Sequence, residues 1–237
     1  MQGNPALTID HETSPAKAGA LIRRACLVLA LLPALLLPSP AAAQNRGAPE
    51  PFDFYVLALS WSPAYCELNR QRAGQQQCGD DKSYRFIVHG LWPQRERDWP
   101  DYCALPRDLP PSAGDIRSML DIMPSRGLIQ HQWRKHGTCS GLPPSDYFSK
   151  TRQAFEKVRI PETFTRLTRR GRISPDGAEA AFAAANPGLT REGMAVSCNR
   201  GVLTEVRICL TKDLEFRACP SVDRSGCRAS SLDVPAP

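Results

Sequence analysis

Apolar and polar positions alternate between two periods along this chain. "FDFYVLALSWS" (52–62) is an apolar, β-prone run with few breaks, which predicts a strand buried on both faces. "YRFIVHGLW" begins as a second strand and is expected to stop at Gly90. Between them, 69–83 is polar, carries a glutamine run and reads as a loop. Pro93, Pro100, Pro106, Pro110 and Pro111 make 93–111 a long irregular excursion. Helical spacing follows. Ser112 can cap a helix reaching about Met123, before Pro124. A second is expected from Gln130 to His136, ending at Gly137, and a third from near Ser145, with Tyr147, Phe148, Thr151, Ala154, Phe155 and Val158 on one side. Ser174-Pro175 opens an alanine-rich helix that ends before Asn186-Pro187. Then the period returns to two: "MAVSC" (194–198), "VLTEVRICL" (202–210) and "LEFRAC" (214–219) read as strands. Strands at both ends and helices between them predict an α+β domain, a central antiparallel sheet flanked by helices.

The first residues belong to a different pattern. Lys17, Arg23 and Arg24 precede the apolar run "ACLVLALLPALLL" (25–37), and Ala41-Ala42-Ala43 follow. Positive, apolar, then small is the order of a secretory signal peptide. The run is shorter than the roughly 20 residues that span a bilayer. Residues 1–43 are therefore expected to be a signal peptide, 44–51 a short polar linker and 52–237 one folded domain. The mature protein is expected in a periplasm or outside the cell, off the membrane and monomeric.

Export changes how the cysteines are read. Of nine, Cys26 falls in the leader; Cys66, Cys78, Cys103, Cys139, Cys198, Cys209, Cys219 and Cys227 remain. An even number in an exported chain points to disulfides, and no CxxC is present to suggest zinc. Counting alone leaves the pairing open. The formal net charge of +6 suits a polyanionic partner without requiring one.

The histidines are the sharper signal. The chain has four, of which His11 lies in the leader. His89 sits in "FIVHGLWPQ" (86–94); His131 and His136 sit in "HQWRKHGTC" (131–139). On a helix Gln132, Lys135 and His136 share a face, His131 neighbours Lys135, and Trp133 turns toward the core. A zinc protease places its histidines four apart with a glutamate between them; here Lys135 occupies that place and opposes a metal. Cys139 is better paired than nucleophilic, and no GxSxG elbow supports a serine hydrolase. Two imidazoles and an ammonium, with neither metal nor nucleophile, suit phosphoryl transfer within RNA. There the substrate supplies its own 2′-OH, one imidazole takes its proton, another protonates the departing 5′-oxygen, and a cation stabilises the phosphate oxygens.

These two segments resemble the active-site segments of the ribonuclease T2 family, secreted acid ribonucleases of low base preference. "LALSWSPAYC" (57–66) is similar to its first strand and first cysteine, and "TEVRIC" (204–209) to its late core strand. The resemblance covers most of 52–219. It implies an endoribonuclease acting on single-stranded RNA without a cofactor or metal, forming a 2′,3′-cyclic phosphate and then, more slowly, a 3′-phosphate. It assigns His89 as acid, His136 as base, His131 to the phosphate and Lys135 to the transition state, and puts Trp92 in the site, able to stack on a base. It also implies the pairings Cys66–Cys78, Cys103–Cys139, Cys198–Cys227 and Cys209–Cys219. One position departs: the family carries glutamate where this chain has Gln132. Either the amide suffices and the pH profile changes, or the protein binds RNA with weakened turnover.

Overall fold

The computed structural model describes residues 51–71, 73–105 and 109–237. The leader (1–43) and the linker (44–51), save Pro51, lie outside them, as does Pro106 of the excursion.

Strand β1 (Phe54–Trp61) is buried along almost its whole length because both of its faces are covered. Tyr55, Leu57, Leu59 and Trp61 point into the main core. Phe54 and Val56 point the other way, into a smaller cluster with Ala195, Cys209, Cys219 and Val222. Each large apolar side chain removed from water contributes about 1.5–3 kcal/mol. After β1 come α1 (Ser62–Leu68), α2 (Gln75–Cys78), β2 (Phe86–Gln94), α3 (Ala113–Arg117) and α4 (Arg126–Lys135). Then follow α5 (Pro144–Lys157), α6 (Glu162–Thr165), β3 (Gly171–Ile173), α7 (Pro175–Ala185), β4 (Met194–Asn199), β5 (Val202–Leu210), α8 (Pro220–Asp223) and β6 (Leu232–Val234).

The fold is α+β. The sheet runs β2-β1-β5-β6-β3, with β4 also on β5. All pairings are antiparallel except β5 with β6, which meet in parallel at Val202 and Asp233. Edge strand β2 does not expose its ladder freely: Val88 N–H donates to the Ile122 carbonyl at 2.8 Å and Tyr147 Oη donates to the Leu91 carbonyl at 2.7 Å.

Several expected boundaries moved. The 69–83 loop contains α2, drawn in by the Cys66–Cys78 bridge and by Gln77, whose amide donates to Ser62 Oγ at 3.1 Å. The helix from Ser112 has its capping box but ends at Arg117; the chain then turns, burying Met119 and Met123 and presenting Ile122 to β2. Helix α4 starts earlier than Gln130, because Ser125 Oγ accepts from Leu128 N–H and caps it. "LEFRAC" is not a strand: Leu214 turns at φ 66°, leaving a single bridge between Leu210 and Phe216. Short β3 and β6 carry too few residues for a period to show.

Among the described residues four disulfides join Cys66–Cys78, Cys103–Cys139, Cys198–Cys227 and Cys209–Cys219, the connectivity the resemblance implies. Each typically stabilises by about 2–4 kcal/mol. Cys103–Cys139, with Tyr102 N–H donating to the Lys135 carbonyl at 2.8 Å, ties the proline-rich excursion to the end of α4. Among the described residues no helix is long and apolar enough to cross a membrane.

Candidate active site

The strand does not stop at Gly90; it bulges there. Leu59 pairs with Val88 and Ala58 with Gly90, so His89 is an extra residue with no partner on β1. In a regular strand His89 and Trp92, an odd number of positions apart, would face opposite sides. The inserted residue shifts the alternation, so that both line one cleft while Val88 and Leu91 stay in the core.

Helix α4 supplies the opposite wall. Ile129 and Trp133 anchor it in the core. Its last turn presents Gln132, Lys135 and His136, with His131 beside them, as helical spacing predicts. His136 is the C-cap residue, its N–H donating to the Gln132 carbonyl at 2.9 Å. The chain must turn tightly next: a Cβ on Gly137 would sit 2.3 Å from the Trp133 ring. The cleft, about 490 Å³, is also lined by Val56, Arg95, Trp99, Arg207 and residues of the α8 region. All five positions singled out around the histidine motifs on α4 and β2, namely His89, His131, Gln132, Lys135 and His136, border this one cavity, together with Trp92.

Trp92 organises the site. Its ring stacks on His136 (centroids 5.1 Å apart, planes at 27°) and meets His89 edge-on at 5.2 Å. Arg207 lies over the indole, 5.5 Å from the ring centre. The Trp92 Nε1–H donates to Gln132 Oε1 at 2.8 Å. Gln132 is 1% exposed and lies against the Cα of Gly90, where no side chain intervenes. The amide thus holds the indole that supports His136.

The imidazoles have contrasting surroundings. His136 is 5% exposed, and among the described residues its buried Nδ1 has no hydrogen-bond partner. Burial first, then the charges of Lys135, His89 and His131, depress its pKa to about 3, so it is neutral near pH 7. His131 is also lowered, by burial and then by Lys135, Arg134 and His89. His89 instead meets a carboxylate: its Nδ1 lies 2.7 Å from Glu205 Oε2. Burial pushes the Glu205 carboxyl up, but the hydrogen bond and charge of His89 and the Arg207 guanidinium outweigh it, leaving Glu205 below its ordinary range. Among the described residues no three His, Cys, Asp or Glu side chains gather to hold a metal ion.

Sequence reasoning passed over three residues here. Glu205 and Arg207 lie two apart on β5, so they share a face, and a charged pair within an otherwise apolar strand was a readable signal. Trp99, 59% exposed at the cleft, was hidden in the proline-rich excursion.

Comparison with known proteins agrees with this architecture. The chain is 32% identical over 194 residues to a probable ribonuclease of Haemophilus influenzae, covering 75% of this chain and 64% of that protein's length. It is 34% identical over 191 residues to a ribonuclease of Aeromonas hydrophila, covering 78% of this chain and 85% of the other. The solved structure of an RNase-related protein from Calystegia sepium shares the fold, with a TM-score of 0.63 at 24% identity, over 78% of this chain and 98% of that one. The Ribonuclease T2 family model matches residues 52–219, the stretch that holds every strand of the sheet but β6, both histidine segments and Glu205, and the chain belongs to that family.

Proposed function

We propose that this endoribonuclease cleaves single-stranded RNA by metal-independent transphosphorylation, with His136 as base and His89 as acid. The observation that carries this is the contrast between two imidazoles that line one cleft against the same Trp92 ring: His136 is buried and neutral, while His89 is hydrogen-bonded to a carboxylate. His136 takes the proton of the 2′-OH, which attacks the phosphorus. His89 delivers a proton to the departing 5′-oxygen. Lys135 stabilises charge growing on the phosphate oxygens, and His131 donates to one of them. The cyclic phosphate is then opened by water with the roles reversed. The exposed Trp99 offers a face for a base; Trp92 has its ring and N–H already engaged by His136, His89, Arg207 and Gln132. Residues 1–43 would direct export to a periplasm or the exterior, where four disulfides persist.

Oxidised protein, incubated with a short single-stranded RNA and excess chelator, should yield fragments ending in a 2′,3′-cyclic phosphate, detected by mass spectrometry. The matching DNA has no 2′-OH and should stay intact. Inhibition by the chelator, or comparable cutting of DNA, would overturn the mechanism.

Gln132 favours an active enzyme over a bare binder, since its amide accepts the Trp92 N–H as a carboxylate would. What it lacks is charge. With His136 neutral down toward pH 3, the acidic limb of kcat/KM should lie well below 6.5. Gln132→Glu places an anion one turn from His136, favours its protonated form, and should move that limb to higher pH. Coincident profiles for parent and variant would remove the charge argument. No cyclic product from the parent at any pH would make it a binder.

A further inference from the structure

We propose that Glu205 is the positioning residue for His89, fixing the ring and the proton that it delivers. This rests on His89 being the acid of the proposed reaction. As the bulged residue, His89 has no partner on β1, so its ring needs an anchor from a side chain. Glu205 provides one from β5. It is 6% exposed, and both its oxygens are occupied: Oε2 faces His89 Nδ1 at 2.7 Å and accepts from Ser60 Oγ at 3.3 Å, while Oε1 accepts from Arg207 Nε at 2.8 Å. Two anchors on one carboxylate set its plane, and the carboxylate sets the imidazole.

The consequence is chemical. A carboxylate only accepts, so Nδ1 carries a proton and Nε2 is the nitrogen left for the substrate. In the imidazolium the Nε2 proton passes to the 5′-oxygen as its bond to phosphorus breaks. The Nδ1–H tautomer that remains is the one Glu205 already binds, and Glu205 stays ionised throughout. Its charge also opposes the other groups around His89. Lys135, His131 and His136 face it from α4 and Arg207 from β5, with Arg95, Arg97 and Asp98 at the rim. Lys135 and the arginines are cations and Asp98 an anion; Glu205 is the buried carboxylate hydrogen-bonded to the His89 ring.

A leaving-group comparison separates positioning from simple support of the sheet. Glu205→Gln retains the size and hydrogen-bonding capacity of the side chain and loses the charge. A dinucleotide expels the 5′-alkoxide of its second nucleoside and needs an acid; uridine 3′-nitrophenyl phosphate expels a stable phenolate and does not. Glu205→Gln and His89→Ala should each lose about 10²-fold or more in kcat on the dinucleotide and only a few-fold on the aryl ester. For Glu205→Gln, KM should hold, so that the loss falls on kcat. If Glu205→Gln loses equally on both substrates while His89→Ala spares the ester, Glu205 is only structural and the proposal falls. If His89→Ala itself loses equally on both, the acid assignment fails and the proposal with it. Should Glu205→Gln not fold, the imidazole nitrogen NMR spectrum of the parent decides: neutral His89 protonated on Nδ1 supports the proposal, and protonation on Nε2 overturns it.

Discussion

His136→Ala should lower kcat on RNA by about 10³–10⁴-fold, near the upper range for removing a general base, with little change in KM. It should also make the protein less sensitive to acid, a second effect of the same side chain. His136 is held at about 3 in the folded chain against 6.5 when unfolded. Above pH 6.5 both forms are neutral and this residue adds no pH dependence. Below it the unfolded chain takes up a proton that the folded one refuses, so stability falls with pH until the folded group titrates near 3. The slope from this one group is at most about 1.4 kcal/mol per pH unit. The parent's melting temperature should therefore drop more steeply from neutral to mildly acidic pH than the variant's. At neutral pH the variant should melt lower, because a cavity opens beside the Trp92 ring. Undiminished cleavage would remove His136 from the reaction. Equal acid slopes would show that its burial does not tune it.

Much of this site was legible because its residues are clustered in sequence. His131, Gln132 and Lys135 lie on one short helix that His136 caps, and local spacing alone places them together. The buried strands β1 and β5 and the alanine-rich α7 also declare themselves through uninterrupted periodicity. What stayed hidden depends on partners distant in the chain. Glu205 is 116 positions from His89, and only the antiparallel register of β1 between β2 and β5 brings them together. The bulge was missed for a related reason. Gly90 reads as a strand terminator when local propensity is the only guide, whereas the ladder to β1 carries the chain through it. "LEFRAC" failed in the opposite direction: its apolar alternation is real, but Leu214 serves a turn and Cys219 a bridge.

Gly90 accordingly becomes a sensitive position although it carries no functional group. Its backbone lies where Gln132 and Trp92 meet: an added Cβ would sit 2.2 Å from Gln132 Oε1 and 2.4 Å from Trp92 Nε1. Neither neighbour can retreat easily. Gln132 is buried against the core, and the indole is stacked on His136. Gly90→Ala should therefore break the Trp92–Gln132 hydrogen bond and displace the ring. The cost is overpacking plus an unsatisfied buried polar group, together about 2–5 kcal/mol. Activity should fall as well, by about 10²-fold, because the displaced indole carries His136 away from the cleft; small misplacements of a catalytic group cost that much. Clash and chemistry separate in a double mutant. Gln132→Ala removes one of the two atoms that the new methyl group strikes and leaves the indole room to move, so Gly90→Ala should cost less stability in that background than in the parent, a coupling that equilibrium unfolding of the four proteins measures. Additive losses, or a Gly90→Ala protein as stable as the parent, would mean that Gln132 does not press on Gly90. The absence of a side chain at Gly90 would then have to be explained by the bulge alone, with the indole held by His136 and Arg207 instead.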